Sequence, residues 1–135
     1  MKKLFDLNRV SVVTGALVSA PAVGTETGTS VDTLNYRHGI FHVAIAGGTG
    51  DTGYTITVEH SDDDSTFEDA GLDAVTGTAV DGETNQENVE VTLKSLKRYV
   101  RVSVEIADNA GVTLSAVYAL GDKDYIPSSN EFLSN

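Results

Sequence analysis

Two runs of alternating residues decide the fold of this chain: KRYVRVSVEI at residues 97–106 and VTLSAVYAL at residues 112–120. Side chains alternate between the two faces of a β-strand, so a period of two gathers the apolar residues of each run on one face. The apolar residues that recur in this way are Val100, Val102, Val104, Ile106, Val112, Leu114, Ala116, Tyr118 and Leu120. The link ADNAG holds residues that tolerate the left-handed backbone angles of a tight turn. The region is therefore predicted to form one long β-hairpin in a core.

The composition indicates a single globular domain. The chain has 135 residues, of which 40% are hydrophobic and 21% charged, which suits one domain with a buried core. It contains no cysteine, which excludes disulfides, thiolate metal sites and a cysteine nucleophile. Without cross-links, stability has to come from the core or from association with partners.

The charge is strongly acidic and unevenly placed. The formal net charge is −11, and no Lys or Arg occurs between Arg37 and Lys94. An acidic surface repels phosphate, so nucleic acid is not expected as a partner. Four basic residues cluster at the start of the 97–106 run: Lys94, Lys97, Arg98 and Arg101. They either meet an acidic partner or balance the acidic surface around them.

Neither a membrane nor secretion is predicted. No apolar run is long enough to span a bilayer. Residues 1–5 resemble the start of a signal peptide, but Asp6, Asn8 and Arg9 interrupt the apolar segment that would have to follow. We therefore expect the protein to be made and used in a cytoplasm.

The rest of the chain reads as short strands and loops without a helical period. Strands are predicted over residues 9–20, 40–46, 54–60 and 88–93, with a bulge or bend at Gly15, and residues 31–34 are read as a short strand or a turn. Residues 40–46 are apolar on both faces, which predicts a central strand buried on two sides, and 54–60 is read as its return strand. Residues 21–30 and 76–86 are predicted to be loops, and Phe67 is expected to anchor a polar turn to the core.

This pattern predicts an all-β fold: an antiparallel β-sandwich or jelly-roll-like single domain with extended terminal arms. The domain would span residues 9–121. Residues 1–8 would form an N-terminal arm and residues 122–135 a C-terminal tail. Both carry apolar residues that are expected to dock on this fold or on a neighbour.

Three groups of residues could carry chemistry, and each has a simpler interpretation. Gly47–Gly50 lacks the Lys-Ser/Thr and helix of a phosphate loop. Asp62–Asp64 offers carboxylates to calcium without the spacing of a known loop, and a solvated acidic turn is the alternative. His38, His42 and His60 could bind zinc only if the fold brings them together. His42 and His60 are expected on adjacent strands, but the sequence offers no third ligand at a recognisable spacing. We predict no metal, no cofactor and no catalytic residue; a Gly-x-Ser-x-Gly nucleophile elbow is also lacking.

Two segments together resemble a known family. One is YTITVEH at 54–60, followed by the turn SDDDSTF and the acidic exit EDA. The other is LKRYVRV at 96–102, continued after the link by GVTLSAVYALG at 111–121. This pair, within residues 31–121, resembles head decoration (capsid cement) proteins of tailed bacteriophages. The family usually has Gly where this chain has Asp64, which would alter or stiffen the turn.

The resemblance implies a non-enzymatic structural virion protein. It would be an all-β protein bound to the outside of the phage capsid, often as a homotrimer at three-fold positions, with the major capsid protein as its partner. By bridging coat subunits it would add interface area that resists the outward push of packaged DNA.

Charged and apolar residues near both termini and in the basic cluster are the expected contacts with coat protein or a sister subunit. They are Lys2, Lys3, Leu4, Phe5, Leu7, Arg9, Lys97, Arg98, Arg101, Phe132 and Leu133. Two alternatives stay open. One is a virion-displayed β-sandwich that binds carbohydrate or a host surface through exposed Tyr36, Tyr54 or Tyr125. The other is a structural component of the tail or neck.

Overall fold

A computed structural model describes residues 11–19, for which only the backbone is considered, and residues 23–48, 50–107 and 112–121. In chain order its strands are β1 (Ser11–Ser19), β2 (Gly24–Thr27), β3 (Val31–Asp32), β4 (His38–Ala46), β5 (Thr52–Ser61), β6 (Glu68–Asp69), β7 (Val75–Ala79), β8 (Thr84–Thr92), β9 (Tyr99–Ile106) and β10 (Thr113–Gly121). A single 3₁₀ turn, Leu93–Ser95, joins β8 to β9 within this part of the chain.

The strands form two antiparallel sheets. Sheet A has the order β1-β10-β4-β8. In sheet B, β9 and β5 are central, the short strands β2 and β3 share one edge, and β6 and β7 share the other. From β4 onward the long strands alternate between the sheets along the chain, and the two sheet orders are those of a jelly roll. The predicted all-β antiparallel sandwich is confirmed.

The core lies between the two sheets and is built by the period of two. Sheet A contributes the inward side chains of β4, β8 and β10, and sheet B those of β5 and β9. The largest fully buried side chains are Tyr118, Phe41, Ile45, Ile56, Ile106, Leu114 and Leu120. Tyr118 and Phe41 pack with their ring centroids 4.8 Å apart, a favourable aromatic geometry.

The predicted hairpin is wrong, because β9 and β10 lie in opposite sheets. Strand β9 pairs with β5, with Val102 opposite Val58, and β10 pairs with β4, with Tyr118 opposite Phe41. Alternation requires only that each strand bury one face. Strands that lie side by side in one sheet and strands that face each other across a core both meet that requirement, so the pattern cannot separate the two arrangements.

The prediction that β5 pairs with β4 as its return strand is also wrong, because the two strands lie in different sheets. Between them, Gly47 has a packing role. The amide of Gly47 donates to the carbonyl of Glu83 at 2.8 Å. A Cβ at Gly47 would lie 2.1 Å from the carbonyl oxygen of Val80. Gly47 is therefore required where the crossing from sheet A to sheet B passes close to the turn between β7 and β8.

The two predicted loops also contain strands. Residues 21–30 include β2, and residues 76–86 include most of β7 and the start of β8. These segments are rich in Thr, Gly and polar residues, and they pair as edges or face solvent, so they lack an apolar alternation. At Gly15 the expected irregularity is confirmed, since the β1–β10 register shifts between Val13 and Leu17.

Tyr118 joins the two sheets through the core. On the outer edge of β9, β2 pairs as far as Ser103 and β3 pairs from Val100, so neither strand pairs with Val102. The carbonyl of Val102 accepts from Gly28 at 2.8 Å. The Val102 amide donates to the Tyr118 hydroxyl at 3.1 Å. Burial raises the pKa of Tyr118 to about 12, so the hydroxyl stays neutral at physiological pH.

We predict that Tyr118→Phe destabilises the domain without changing its fold. The substitution keeps the ring and leaves the buried Val102 amide without its acceptor, which costs about 1–3 kcal/mol. Urea unfolding at pH 7 measures the loss. Tyr99→Phe, a hydroxyl deletion at a half-buried position of β9, serves as the control, with an expected change within about 0.5 kcal/mol. Equal stability of the two variants would contradict a structural role for the Tyr118 hydroxyl.

A second prediction concerns Gly47. Gly47→Ala forces a Cβ against the Val80 carbonyl, and we expect a loss of about 1–3 kcal/mol in the free energy of unfolding, as for overpacked sites. Gly53→Ala is the matched control from the same glycine-rich segment, because its Cβ would meet only Ala107 at 3.7 Å. Thermal unfolding of both variants distinguishes them. A Gly53→Ala variant that unfolds as easily as Gly47→Ala would show that flexibility of the segment matters, and not the close approach.

Candidate functional site

The outer face of sheet A is apolar at its centre. On β4, Ile40 is 45% exposed. It lies opposite Ala119 of β10 on one side and Glu90 of β8 on the other. One step along, His42 lies opposite Val117 and Asn88. We call the outward residues Ile40, His42, Ala44, Val117 and Ala119 the sheet A face.

This face corrects the expectation that β4 is buried on two sides. The strand is central in its sheet, but the sandwich covers only one of its faces. Phe41, Val43 and Ile45 are fully buried, whereas Ile40 is exposed and His42 and Ala44 are half-buried. The second apolar face that the sequence shows is therefore presented at the surface.

Sheet B presents a different surface, rich in hydroxyl groups. Thr76 of β7, Thr55 of β5, Glu105 of β9 and Thr25 of β2 lie in one row across the sheet. The next row places Thr57, Ser103 and Thr27 side by side. Short polar side chains are typical of the outer face of an antiparallel sheet, although Ser103 is only 5% exposed here and Thr55 and Thr57 are half-buried. The two outer faces of the sandwich thus differ in polarity.

Three residues of the predicted basic cluster, Lys97, Arg98 and Arg101, pair with carboxylates of their own domain. Arg98 binds Asp32 through two hydrogen bonds of 3.0 and 2.8 Å. Lys97 forms ion pairs with Glu68 and, at 3.6 Å, with Asp62. The hydrogen bond from Arg98 lowers the pKa of Asp32, and that from Lys97 lowers the pKa of Glu68.

Arg101 has the most enclosed of these pairs. Its Nε lies 2.6 Å from the Glu59 carboxylate, and the two side chains are 25% and 23% exposed. Its guanidinium also lies 3.9 Å from the centre of the Phe67 ring. Phe67 is half-buried and packs on this cation, outside the hydrophobic core in which it was expected to be anchored. Of the two interpretations of the cluster, the balancing of local acidic charge describes the geometry of Lys97, Arg98 and Arg101.

A groove opens beside this cluster, between the β3–β4 connection and the 3₁₀ turn. Its volume is about 340 Å³. Apolar and cationic side chains share its lining: Leu34, Tyr36, Leu93, Leu96, Lys94 and Arg98. Leu34 is 52% exposed. We call this the Tyr36 groove.

The tyrosines expected to bind carbohydrate are separated. Tyr54 is only 3% exposed, so its expected exposure is wrong. Its hydroxyl accepts from the Asn85 amide at 3.1 Å and donates to Glu87 at 3.3 Å, which ties β5 to β8 at the edge of the sandwich. Tyr36 lines the groove, and Tyr125 lies outside the described residues.

The acidic turn at 62–66 is organised by its own backbone. The Asp63 carboxylate accepts from the amides of Ser65 and Thr66 at 2.9 and 2.8 Å and from the Ser61 hydroxyl at 2.8 Å. These hydrogen bonds, with the Thr66 amide first, lower the pKa of Asp63 to about 2. The carboxylate acts here as a turn-forming acceptor.

Asp64 has a backbone conformation that Gly, the residue expected here from the resemblance, would also adopt. Its φ of 57° lies in the left-handed region, where Gly is favoured and Asp is tolerated. Its carboxylate accepts a hydrogen bond from Ser30. The Asp therefore keeps the backbone angle of the turn and adds a link to the connection between β2 and β3.

The histidines do not meet. His42 of sheet A contacts Asn88 at 2.8 Å, whereas His60 of sheet B accepts from the Lys97 amide at 3.1 Å. Their expected position on adjacent strands is wrong, because β4 and β5 belong to different sheets. Among residues 23–48, 50–107 and 112–121, no group of three or more His, Asp or Glu side chains is placed to hold a metal ion.

The remaining expected contacts lie beyond the part of the chain that the structure describes. These are Lys2, Lys3, Leu4, Phe5, Leu7, Arg9, Phe132 and Leu133. The described residues include no helix that is long and apolar enough to cross a membrane.

Comparison with known proteins shows the fold. No family model and no curated protein matches the chain. Among solved structures, PBSX exported protein XepA has a TM-score of 0.55 at 14% identity, over 90% of this chain and 40% of that one. Infectious bursal disease virus Gx strain gives a TM-score of 0.55 at 16% identity, over 83% of this chain and 32% of that one.

A carbohydrate-binding protein shares the same sandwich. The C-terminal family 22 carbohydrate binding module of Clostridium thermocellum Xyn10B has a TM-score of 0.52 at 11% identity, over 90% of this chain and 91% of that one. This chain spans less than half of XepA and of the viral protein chain. The β-sandwich is therefore one that occurs in viral proteins and in binding modules.

The hydrogen bonds to the Asp63 carboxylate predict how this group titrates. Because the pKa of Asp63 in the folded state is about 2, below the ordinary 3.8, the ionised carboxylate favours the folded turn above the ordinary pKa. This contribution is lost as the pH falls toward 2. Carboxyl-carbon NMR should show Asp63 still ionised at pH 3, and Ser61→Ala should raise its midpoint by removing one donor. A midpoint near 3.8 in the unmodified protein would contradict the turn geometry.

Proposed function

We propose that this protein is a structural virion component that binds the outside of a phage capsid and stabilises contacts between coat subunits. The role is mechanical and non-catalytic. Two findings support it: the sandwich fold, which also occurs in a viral protein, and the resemblance of residues 31–121 to head decoration proteins. The apolar sheet A face is the observation that carries the proposal.

The sheet A face has the chemistry of a protein contact. Ile40, Val117 and Ala119 are aliphatic and lie on neighbouring strands of a regular sheet. Removing such side chains from water favours association by about 25 cal/mol per Å² of apolar area. Apolar residues grouped on one exposed face mark interaction sites more often than scattered ones do. The hydroxyl-rich face of sheet B lacks this driving force.

Coat protein is the occupant we propose for this face. A sandwich that rests on a head through sheet A would turn its hydroxyl-rich sheet B outward. Attachment across a boundary between coat subunits adds buried area that has to be exposed before the subunits separate. The arms at residues 1–8 and 122–135 would extend the contact to neighbours and raise affinity through multivalency. A homotrimer at a three-fold position would place three such contacts around one axis.

Substitution of Ile40 tests the surface. Ile40→Glu places a charge in the centre of the sheet A face, and we expect at least a tenfold loss of affinity for heads assembled from the coat protein of the same phage. Thr76→Glu, on the exposed face of sheet B, introduces the same charge as a control and should bind normally. Cosedimentation measures both, and circular dichroism verifies that each variant is folded. Normal binding by the Ile40→Glu variant would show that the sheet A face is not the docking surface.

Deletion of residues 1–8 tests the arm separately. If Leu4, Phe5 and Leu7 reach coat protein or a sister subunit, the truncated protein should lose head binding while its unfolding transition is kept. Light scattering on the full chain shows whether it is already a trimer in solution. Head binding that is unchanged by the deletion would leave the sheet A face as the whole contact.

A further inference from the structure

Strand β8 has an open edge. It lies at the end of sheet A, and among the described residues it pairs only with β4, from Thr84 to Thr92 without a register shift. The free edge of a strand presents amide and carbonyl groups to which another strand can add, and proteins commonly protect such edges with Lys, Pro or a bulge. The sequence of β8, TNQENVEVT, contains neither Lys nor Pro. This edge therefore lacks the usual protection.

The hydrogen bonds that flank β8 show which of its backbone groups face the open edge. In continuation of the β4–β8 register, the Leu93 amide donates to the Arg37 carbonyl and the Gly47 amide to the Glu83 carbonyl, each at 2.8 Å. Hydrogen-bonded pairs alternate along an antiparallel ladder, so the odd-numbered residues of β8 bond to β4. The amides and carbonyls of the even-numbered residues point away from β4, and these residues are Thr84, Gln86, Asn88, Glu90 and Thr92.

The side chains along this edge fit a second copy of the same strand. The even-numbered side chains are exposed. The side-chain oxygen of Asn88 accepts from the His42 ring at 2.8 Å, which leaves the amide hydrogens of Asn88 available to a further acceptor. Two residues along the strand, Glu90 carries an exposed carboxylate. An amide donor and a carboxylate acceptor at this spacing can pair reciprocally when two copies of the strand run antiparallel.

One antiparallel register satisfies the backbone and these side chains together. With Val89 on the two-fold axis, Asn88 of each copy lies opposite Glu90 of the other. Residues paired in this way also exchange two backbone hydrogen bonds. An axis at Glu87 or at Glu90 would instead place like charges directly opposite each other, which is destabilising. An axis at Asn88 would lose the reciprocal amide–carboxylate pairs.

We infer that β8 pairs antiparallel with β8 of a second copy of this chain, so that two copies of sheet A form one continuous sheet. The pairing is isologous, and it therefore closes on itself and occupies the β8 edge of both copies. It extends sheet A within its own plane and leaves the sheet A face uncovered. The inference rests on the edge of β8 and does not depend on the proposed virion role. In a virion it would join chains of neighbouring three-fold positions.

Proline at position 88 tests the edge on the full chain. Asn88→Pro removes an amide that faces the open edge, a kind of position at which strands tolerate Pro. We expect the mass of the assembly, measured by light scattering, to fall by half. In NMR exchange experiments the Gln86 and Glu90 amides should exchange at least tenfold faster in the variant. The Val89 and Val91 amides, which bond to β4, should stay protected in both proteins and verify that the fold is kept.

A charge exchange tests the register. Asn88→Asp places a carboxylate opposite Glu90 of the other copy, and we expect the dissociation constant of the pair to rise at least fivefold, because directly opposed like charges are unfavourable. Combining it with Glu90→Lys puts opposite charges at the same positions and should restore the dissociation constant to within about twofold. Thr25→Asp, at an exposed residue of β2 in sheet B, makes the same change of charge and should leave association unaltered.

Two results would overturn the inference. One is the mass of a single chain for the unmodified protein at the concentration of the NMR experiment. The other is equal exchange of the Gln86 and Glu90 amides in the unmodified protein and in Asn88→Pro. Association that Asn88→Asp leaves unchanged, or that Glu90→Lys fails to restore, would contradict the pairing of Asn88 with Glu90.

Discussion

The fold depends on the packing of β9 against β10 across the core, and the hydrogen bond from the Val102 amide to the Tyr118 hydroxyl is its most specific contact. One strand lies in each sheet, and their aliphatic faces form much of the buried interior. The gap between β2 and β3 leaves the Val102 amide without a strand partner, and Tyr118 reaches it from the opposite sheet. A backbone donor that is buried without an acceptor is costly in free energy. This hydrogen bond therefore fixes the position of sheet A relative to the gap between β2 and β3 at the edge of sheet B.

The sequence was sufficient to predict the strands with strong alternation, but it was not sufficient to predict which strands pair with one another. The inward residues of β4, β5, β9 and β10 follow directly from the period of two. Which sheet each strand joins does not, because side-by-side and face-to-face arrangements bury the same residues. The edge strands β2 and β7 were missed because their stability comes from backbone pairing to β9 and β5, which polar Thr and Gly residues do not reveal.

The same limit applies to the candidate site. The basic cluster was visible in the sequence, but its neutralisation by Asp32, Glu59 and Glu68 joins residues far apart in the chain. The second apolar face of β4 was also visible in the sequence. It was interpreted as buried, because a sequence does not show which face of a strand the sandwich leaves uncovered. That signal points to the surface that we propose as the contact. The Tyr36 groove had no sequence signal beyond Tyr36 itself, because it forms between two connections.

These features divide the surface of the molecule into regions with different roles. The face of sheet B is rich in hydroxyl groups, the cations of the basic cluster pair with carboxylates of the same domain, and the sheet A face is the surface that we propose for coat protein. Hydroxyl-radical footprinting of the free and the head-bound protein tests this division directly. We expect the oxidation of Ile40 and Val117 to fall on binding, while that of exposed Val23 and Leu72 is unchanged. Protection of Leu72 with Ile40 still fully reactive would contradict it.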